Sequence, residues 1–276
     1  MPPHPDISAH YTSGTLLQRL RAQLAAAGVD PDHPTIASLA PFDHFHGRGL
    51  EATQELAGSV AVAASDHILD VGSGIGGPAR YFADRFGCRV TGIDLTAEFC
   101  QVARVLTRAV GLADRVVFEQ GTALKMPFAD ARFDGAYSMN VSMNIADKRG
   151  FFAEIARVLK SAAWLVLSEI AQGPGGEPAY PTPWAATAAT SFLATPAQTR
   201  QALAQAGFTV VAERDTVKEA MAFAARSRAM AERGEKPPFS AVRLMHGDAA
   251  AAMTANGARA LAEARIIPIE IMCRKP

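Results

Sequence analysis

The 276-residue chain reads as an α/β protein whose parallel sheet is covered by helices on both faces. Three observations lead there. Short apolar, β-branched runs alternate with amphipathic segments of helical period between about residues 68 and 169. Glycines at Gly72, Gly74, Gly76 and Gly77 separate the first such strand from the first such helix. The second strand runs into an acid, Asp94, 22 positions after Gly72. Strands that alternate with helices run parallel, and a parallel sheet needs both of its faces buried.

In chain order, Thr15 to Ala27 places Leu16, Leu17, Leu20 and Leu24 on one helical face, and Gly28 ends it. Asp30 to Pro41 reads as a proline-punctuated connector. A helix from Gly49 (LEATQELAGSV) feeds the first strand, 68–71, whose Ile68, Leu69 and Val71 are apolar. Then follow helix 78–86, strand 89–93, helix 96–110, strand 115–119, strand 133–138, helix 147–159 and strand 163–169. A helix at Thr195–Ala206 is stopped by Gly207, and strands at Phe208–Arg214 and Arg265–Cys273 complete the set. Two stretches exceed this alternation. Ala171 to Thr195 is rich in Pro and Gly, and Val217 to Glu263 holds two alanine-rich helices around the break GEKPPFSAVRLMHG. Insertions of this kind in open α/β sheets gather at the carboxyl edge of the strands, where ligands bind. The division expected is one domain over 1–276: a cover at 1–48, a cofactor-binding core at 49–170, substrate covers at 171–195 and 217–263, and remaining core at 196–216 and 264–276.

Bulk composition narrows the function. Lys+Arg and Asp+Glu both number 27, so net charge is zero, which argues against a broad nucleic-acid footprint. Cys88, Cys100 and Cys273 show neither metal nor disulfide spacing and read as thiols in a reducing compartment. The amino-terminal residues lack a basic segment leading into an apolar core, and no apolar run approaches the roughly 18 residues of a membrane span. A cytoplasmic protein acting on a small molecule, as monomer or homodimer, is the expectation.

Strand, glycine turn, helix, strand and acid together make a nucleotide-binding half. The glycines bring the backbone close to a ligand, and the carboxylate of Asp94 can accept from both ribose hydroxyls. Two cofactors use this arrangement. Gly72, Gly74 and Gly77 satisfy the dinucleotide pattern G-x-G-x-x-G, but Asp70, two residues before Gly72, also makes the segment D-x-G-x-G. A carboxylate there opposes a pyrophosphate and suits a cofactor carrying an ammonium and a sulfonium. In that order DVGSGIGGPARYFA resembles motif I of the class I S-adenosylmethionine-dependent methyltransferases, and GIDLT resembles the acidic motif that follows it. The GGPAR ending is similar to the methyltransferase type 11-like branch with glycine, sarcosine and dimethylglycine N-methyltransferases, phosphoethanolamine methyltransferases and tocopherol or sterol C-methyltransferases.

The resemblance implies a Rossmann-like, doubly wound sheet of seven strands, the last antiparallel, with a helical cover. It implies S-adenosylmethionine as cofactor and S-adenosylhomocysteine as product, with Tyr11, Asp70, Gly72, Ser73, Gly74, Asp94, Leu95, Thr122, Ala123, Ser138 and Asn140 around them. Relatives carry an acid at the Thr122 position to accept the adenine amino group; a threonine lacks that charge. Asn140 faces the transferred methyl by position, where many relatives have Gln or His. Glu169, ending the fifth strand, reads as an amine ligand or base, and equally as a cap or ion-pair partner. FDHFHGR brings Asp43, His44, His46 and Arg48 together; His46 is a candidate base, against the alternative of capping or solvated histidines. Its H-x-H lacks a third ligand of suitable spacing, so no metal site is expected. The pocket over the methyl is expected to be mainly apolar, from Tyr11, Phe45, Met139, Asn140, Trp184 and Phe192, with Arg48 or Arg243 needed for any ionised carboxylate. Acceptors at nitrogen or activated carbon fit best. An NAD-dependent oxidoreductase and a catalytically inactive regulatory relative stay open.

Overall fold

The computed structural model describes residues 7–235 and 241–276. The first six residues of the amino-terminal segment and 236–240 within the predicted break lie outside the described residues. Strand β1 (His67–Val71) lies inside a seven-stranded sheet that also contains β2 (Arg89–Asp94), β3 (Val116–Gln120), β4 (Phe133–Met139), β5 (Leu159–Gln172), β6 (Thr209–Asp215) and β7 (Ile266–Arg274). Their order is β3-β2-β1-β4-β5-β7-β6. The first five strands are parallel; β7 runs antiparallel to both β5 and β6. The chain steps from β1 outward to β2 and β3, and the crossover after β3 then returns to place β4 on the other side of β1. The carboxyl ends of β1 and β4 therefore flank a crevice, the usual ligand position in open α/β sheets.

Alternating side chains carry the two faces. Ile68, Val90, Tyr137, Trp164 and Val166 bury against α4 (Leu50–Gly58) and α5 (Gly77–Phe86). Leu69, Val71, Leu165, Leu167 and Ile271 bury against α7 (Lys148–Val158) and α8 (Pro196–Gln205). Successive strand residues point to opposite faces, so a strand covered on both sides must be apolar at nearly every position. β5 is longer than its predicted span because β7 pairs along it from Trp164↔Arg274 to Gln172↔Ile266, carrying the strand past the core.

The cover differs from expectation in three places. The connector predicted over Asp30–Pro41 contains α3 (Ile36–Asp43) after α1 (Ile7–Tyr11) and α2 (Leu16–Ala26), with Pro41 inside the helix. A Thr35–Ser38 capping box and burial of Leu39, Ala40 and Phe42 outweigh the proline's missing hydrogen bond. α1 itself has no counterpart in the periodicity reading. Between α9 (Val217–Glu232) and α11 (Ala250–Ala262), the predicted break includes α10 (Ala241–His246). Leu244 of α10 joins Leu16, Leu20, Leu24, Leu39 and Phe42 over α6 (Ala97–Ala109), through Phe99, Val102 and Leu106. The amino-terminal helices and the late insertion thus share one apolar cluster across the carboxyl edge of the sheet. No helix among the described residues is long and apolar enough to cross a membrane.

Candidate active site

The turn after β1 is built by three glycines at positive φ, Gly72 at 77°, Gly74 at 52° and Gly76 at 84°. A side chain on Gly72 would stand 2.2 Å from Val141 Cγ2, so this position is closed by the protein itself. A Cβ on Gly74 would meet only Phe45, at 3.7 Å, so the space beyond it is open. The Gly72 and Ser73 amides donate to Ile93 O, at 2.8 and 3.0 Å, tying the turn to the end of β2. Asp94, next in β2, completes the join. Its Oδ2 accepts from the Gly74 amide (2.9 Å) and its Oδ1 from the Thr96 amide (2.8 Å). One bond per carboxylate oxygen leaves capacity for further donors, and Asp94 lines the cavity beyond.

That cavity holds about 2260 Å³ and opens over the carboxyl edge of the sheet. Tyr11, Asp70, Gly72, Ser73, Gly74, Asp94, Leu95, Thr122, Ala123 and Asn140 all line it, as does His46. Asp70 is buried, with Oδ2 in no close hydrogen bond, and burial pushes its carboxyl up to about 8 against the pull of the neighbouring Tyr137 hydroxyl. Ser73 Oγ is also buried without a partner. Thr122 is exposed, and its Oγ1 accepts from the Leu124 amide at 3.2 Å. The six residues expected over the methyl, Tyr11, Phe45, Met139, Asn140, Trp184 and Phe192, share this one cavity.

Two expected site residues are not on the wall. Ser138 and Glu169 are fully or almost fully buried and absent from the lining. Glu169 accepts from the Val141 and Ser142 amides (3.1–3.2 Å) and from Ser138 Oγ (3.3 Å). Burial raises its carboxyl to about 7 against the pull of those amides. Its position corrects the reading as an amine ligand: the carboxyl holds the turn after β4 from behind. Asn140 sits on that turn at φ 56°. With its amide oriented to satisfy both ends, Nδ2 donates to Ser168 O (3.2 Å) and Oδ1 accepts from the Gly47 amide (3.3 Å). Asn140 therefore joins the turn to the segment His44–Arg48.

On that opposite wall, Arg80 of α5, wholly buried, reaches Asp43 Oδ2 at 2.8 Å. Arg48 is occupied by Glu55 (2.8 Å) and Glu270 (3.4 Å), which corrects its reading as an open carboxylate clamp. His44 Nδ1 and His46 Nε2 converge on Thr53 Oγ1, at 2.8 and 3.1 Å. Among the described residues no group of three or more His, Cys, Asp or Glu is placed to hold a metal.

Sequence reasoning missed Asn144. Its Oδ1 accepts from Tyr11 Oη (2.9 Å), while Nδ2 donates to Trp184 O (2.7 Å) and Thr190 O (3.1 Å). One buried amide thus gathers α1, the turn after β4 and the insertion at 171–195. Burial and the nearby Asp94 charge push the Tyr11 phenol well above its ordinary value, so it stays a neutral donor. Lys148 similarly donates to the carbonyls of Ser142 (2.5 Å), Ile145 (2.6 Å) and Phe192 (2.6 Å). Nothing in spacing or composition marks either residue, because each closes a loop onto segments that only the fold brings near, α1 and residues 184–192.

The probable chloroplastic tocopherol O-methyltransferase of Oryza sativa subsp. japonica is 39% identical over 100 residues, covering 36% of this chain and 28% of that protein. Methyltransferase GfsG of Streptomyces halstedii is 33% identical over 166 residues, covering 60% and 58%. The chain thus spans less than two thirds of the length of either relative. In fold it resembles a geranyl diphosphate methyltransferase in complex with GPP and sinefungin, with a TM-score of 0.73, 16% identity and 100% of both chains covered. It also resembles the [4+2]-cyclase SpnF, with a TM-score of 0.65, 23% identity and 94% of both chains covered. Residues 69–167, the stretch from β1 to β5, match the family model described as a methyltransferase domain.

Proposed function

We propose that the protein transfers the methyl group of S-adenosylmethionine to a small-molecule acceptor, at nitrogen or at an activated carbon. The observation that carries this reading is the pairing of two acids around one glycine turn. Asp94 presents spare acceptor capacity where a ribose would lie, and Asp70 presents a buried carboxyl oxygen in no close hydrogen bond. The residues fit the cofactor: Asp94 for the ribose hydroxyls, Asp70 with Gly72, Ser73 and Gly74 for the methionine end, and Leu95, Thr122 and Ala123 for the adenine. An ammonium gives Asp70 the counter-charge that burial denies it, whereas a pyrophosphate would place like charge there. Tyr11 and Asn140 stand at the methyl end, and His46 on the facing wall.

When bound, S-adenosylmethionine supplies a methyl group already activated by the sulfonium. The protein's task is then to hold the acceptor in line and keep water out, and alignment alone can supply ~7–11 kcal/mol. A cavity well beyond the ~300–1,000 Å³ of ordinary ligand pockets, faced by Phe223, Ala224, Ala251, Ala255 and Leu261 of the cover, favours a large, apolar acceptor.

Calorimetric titration with S-adenosylhomocysteine and with NAD tests the reading. The expected result is binding of the former alone, with Asp94→Ala losing roughly 2–4 kcal/mol of affinity as ribose donors go unmatched. Binding of NAD in place of S-adenosylhomocysteine would instead make the chain an oxidoreductase. Incubation with methyl-labelled cofactor and fractionated metabolites then distinguishes a nitrogen from a carbon product.

A further inference from the structure

Thr53 of α4 is fully buried between two imidazoles. Its Oγ1 lies 2.8 Å from His44 Nδ1 and 3.1 Å from His46 Nε2. The far nitrogen of His44, Nε2, stands 3.5 Å from Asp43 Oδ1, a buried oxygen with no hydrogen bond. Arg80 holds the other oxygen of that carboxylate at 2.8 Å. The far nitrogen of His46, Nδ1, has only the Gly47 carbonyl oxygen near it, at 3.3 Å. His46 lines the cavity alongside Met139 and Asn140. Arg80, Asp43, His44, Thr53 and His46 therefore form a chain of contacts from the buried core to the substrate space.

A hydroxyl carries one proton, and the imidazole nitrogens at 2.8 and 3.1 Å are closer and stronger acceptors than Met139 Sδ at 4.0 Å, so Thr53 donates to one imidazole and accepts from the other. Two proton orders satisfy that condition. In one, His46 carries its proton on Nδ1 and His44 on Nδ1. The bare His44 Nε2 then faces the carboxylate, and Asp43 Oδ1 stays unsatisfied. In the other, each donor points toward Asp43: His46 Nε2–H to Thr53, Thr53 O–H to His44 Nδ1, and His44 Nε2–H to Asp43 Oδ1. The second order meets a buried charged acceptor and gives up only a long contact to Gly47, an exposed residue whose carbonyl water can satisfy. It leaves His46 Nδ1 as the one bare nitrogen.

We infer that His46 is the general base for an acceptor bearing a phenol- or enol-type hydroxyl, with Thr53 and His44 as positioning residues that pass the proton toward Asp43. The inference rests on the methyltransferase reading and deepens it by naming the acceptor's chemistry. The acceptor's O–H bond breaks and the Nδ1–H bond forms, while the electron pair stays on the acceptor and is delivered by its conjugated carbon, the activated carbon of the proposed function. The Nε2 proton of His46 moves to Thr53, and the Thr53 proton moves to His44 Nδ1. His44 then carries the charge beside Asp43, and His46 is neutral again.

The surrounding charges fit this task. Burial, then His44, then Arg48 hold His46 down to about 3, so it stays unprotonated through neutral pH and is always available to accept. Burial also lowers His44, with Asp43 opposing and Arg80 adding to the effect. A base this weak acts only if its product charge is moved away, which the relay to Asp43 does. The carboxylates of this wall are already engaged, Asp43 with Arg80, Glu51 with Arg226, and Glu55 and Glu270 with Arg48 and Arg214. The wall therefore suits a neutral hydroxyl better than a cationic amine.

Nitrogen-15 NMR of histidine-labelled full-length protein tests the relay without turnover. The expected spectrum shows His44 and His46 both protonated at Nε2, with His46 Nδ1 at the shift of a bare ring nitrogen. Thr53→Val should give mixed tautomers at His46, and Thr53→Ser should restore one. With S-adenosylhomocysteine present, 4-nitrophenol should move the His46 Nδ1 signal toward that of a hydrogen-bonded nitrogen, and 4-nitroanisole, lacking the hydroxyl, should not. An Nδ1–H tautomer of His46, equal responses to both probes, or no response to either overturns the inference. Failure of S-adenosylhomocysteine to bind counts against the methyltransferase reading, while the ligand-free spectrum still decides the relay.

Discussion

Asp70 is where burial and charge conflict most directly. Its carboxyl is pushed up to about 8, and Glu169 to about 7, both by burial. A folded value above the unfolded one means that the native chain holds the proton more tightly. The stability these groups confer is therefore complete below the unfolded carboxylate range and is lost as pH rises through about 7 and 8. Asp70→Asn keeps the shape and removes the titration. Ligand-free thermal melts should show the two proteins nearly equal near pH 3 and wild type falling progressively behind the variant as pH rises from about 4 to about 8, by several kcal/mol near pH 9. Calorimetry near pH 7 should show S-adenosylhomocysteine binding release a proton from wild type and not from Asp70→Asn. Unchanged proton release would place the ammonium elsewhere. Two glycines of the turn separate stability from binding. Gly72→Ala, driven 2.2 Å from Val141 at φ 77°, should cost about 1–3 kcal/mol in denaturant unfolding. Gly74→Ala, strained at φ 52° but free of a close contact, should lose cofactor affinity at a smaller cost in stability than Gly72→Ala.

Between elements, two buried polar groups hold the cover to the core. Asn144→Ala removes three hydrogen bonds, strands the Thr190 carbonyl and leaves Trp184 O with only the longer bond from Tyr11 Oη, 3.3 Å. A loss of about 1–3 kcal/mol is expected, with faster proteolysis within 171–195 as the structural readout. Arg80→Ala leaves the Asp43 carboxylate buried without its cation, which should cost about 3–5 kcal/mol. Intact stability in either variant would mean that the cover is held by apolar contact alone.

At the scale of the whole molecule, the sheet supplies the acids and the glycine turn, and the helices outside it supply most of the enclosure. Deleting Val217–Gly247 with a short flexible joint should leave S-adenosylhomocysteine affinity within about tenfold while abolishing turnover. The structure adds a stability cost to this expectation, about 2–4 kcal/mol, because Leu244 leaves a cluster with Leu16, Leu20, Leu39 and Phe42. Equal loss of binding and turnover in a folded variant would assign the cover a part in holding the cofactor.

The sequence by itself determined what depends on short-range order along the chain. The alternation of strands and helices, the glycine turn, and Asp70 and Asp94 at the strand ends are local, because period and φ act within a few residues. The helix containing Pro41 escaped notice because it persists through a cap and distant burial, not through propensity. Asn144, Lys148 and Thr53 escaped for a related reason, since each derives its role from partners far along the chain or across a turn. The same distance decided Glu169 and Arg48. Both carry the residue type expected at a substrate edge, yet Glu169 faces backbone amides and Arg48 faces two carboxylates. A charged side chain takes whichever counterpart the fold brings within about 3 Å, and only the tertiary structure determines which counterpart that is.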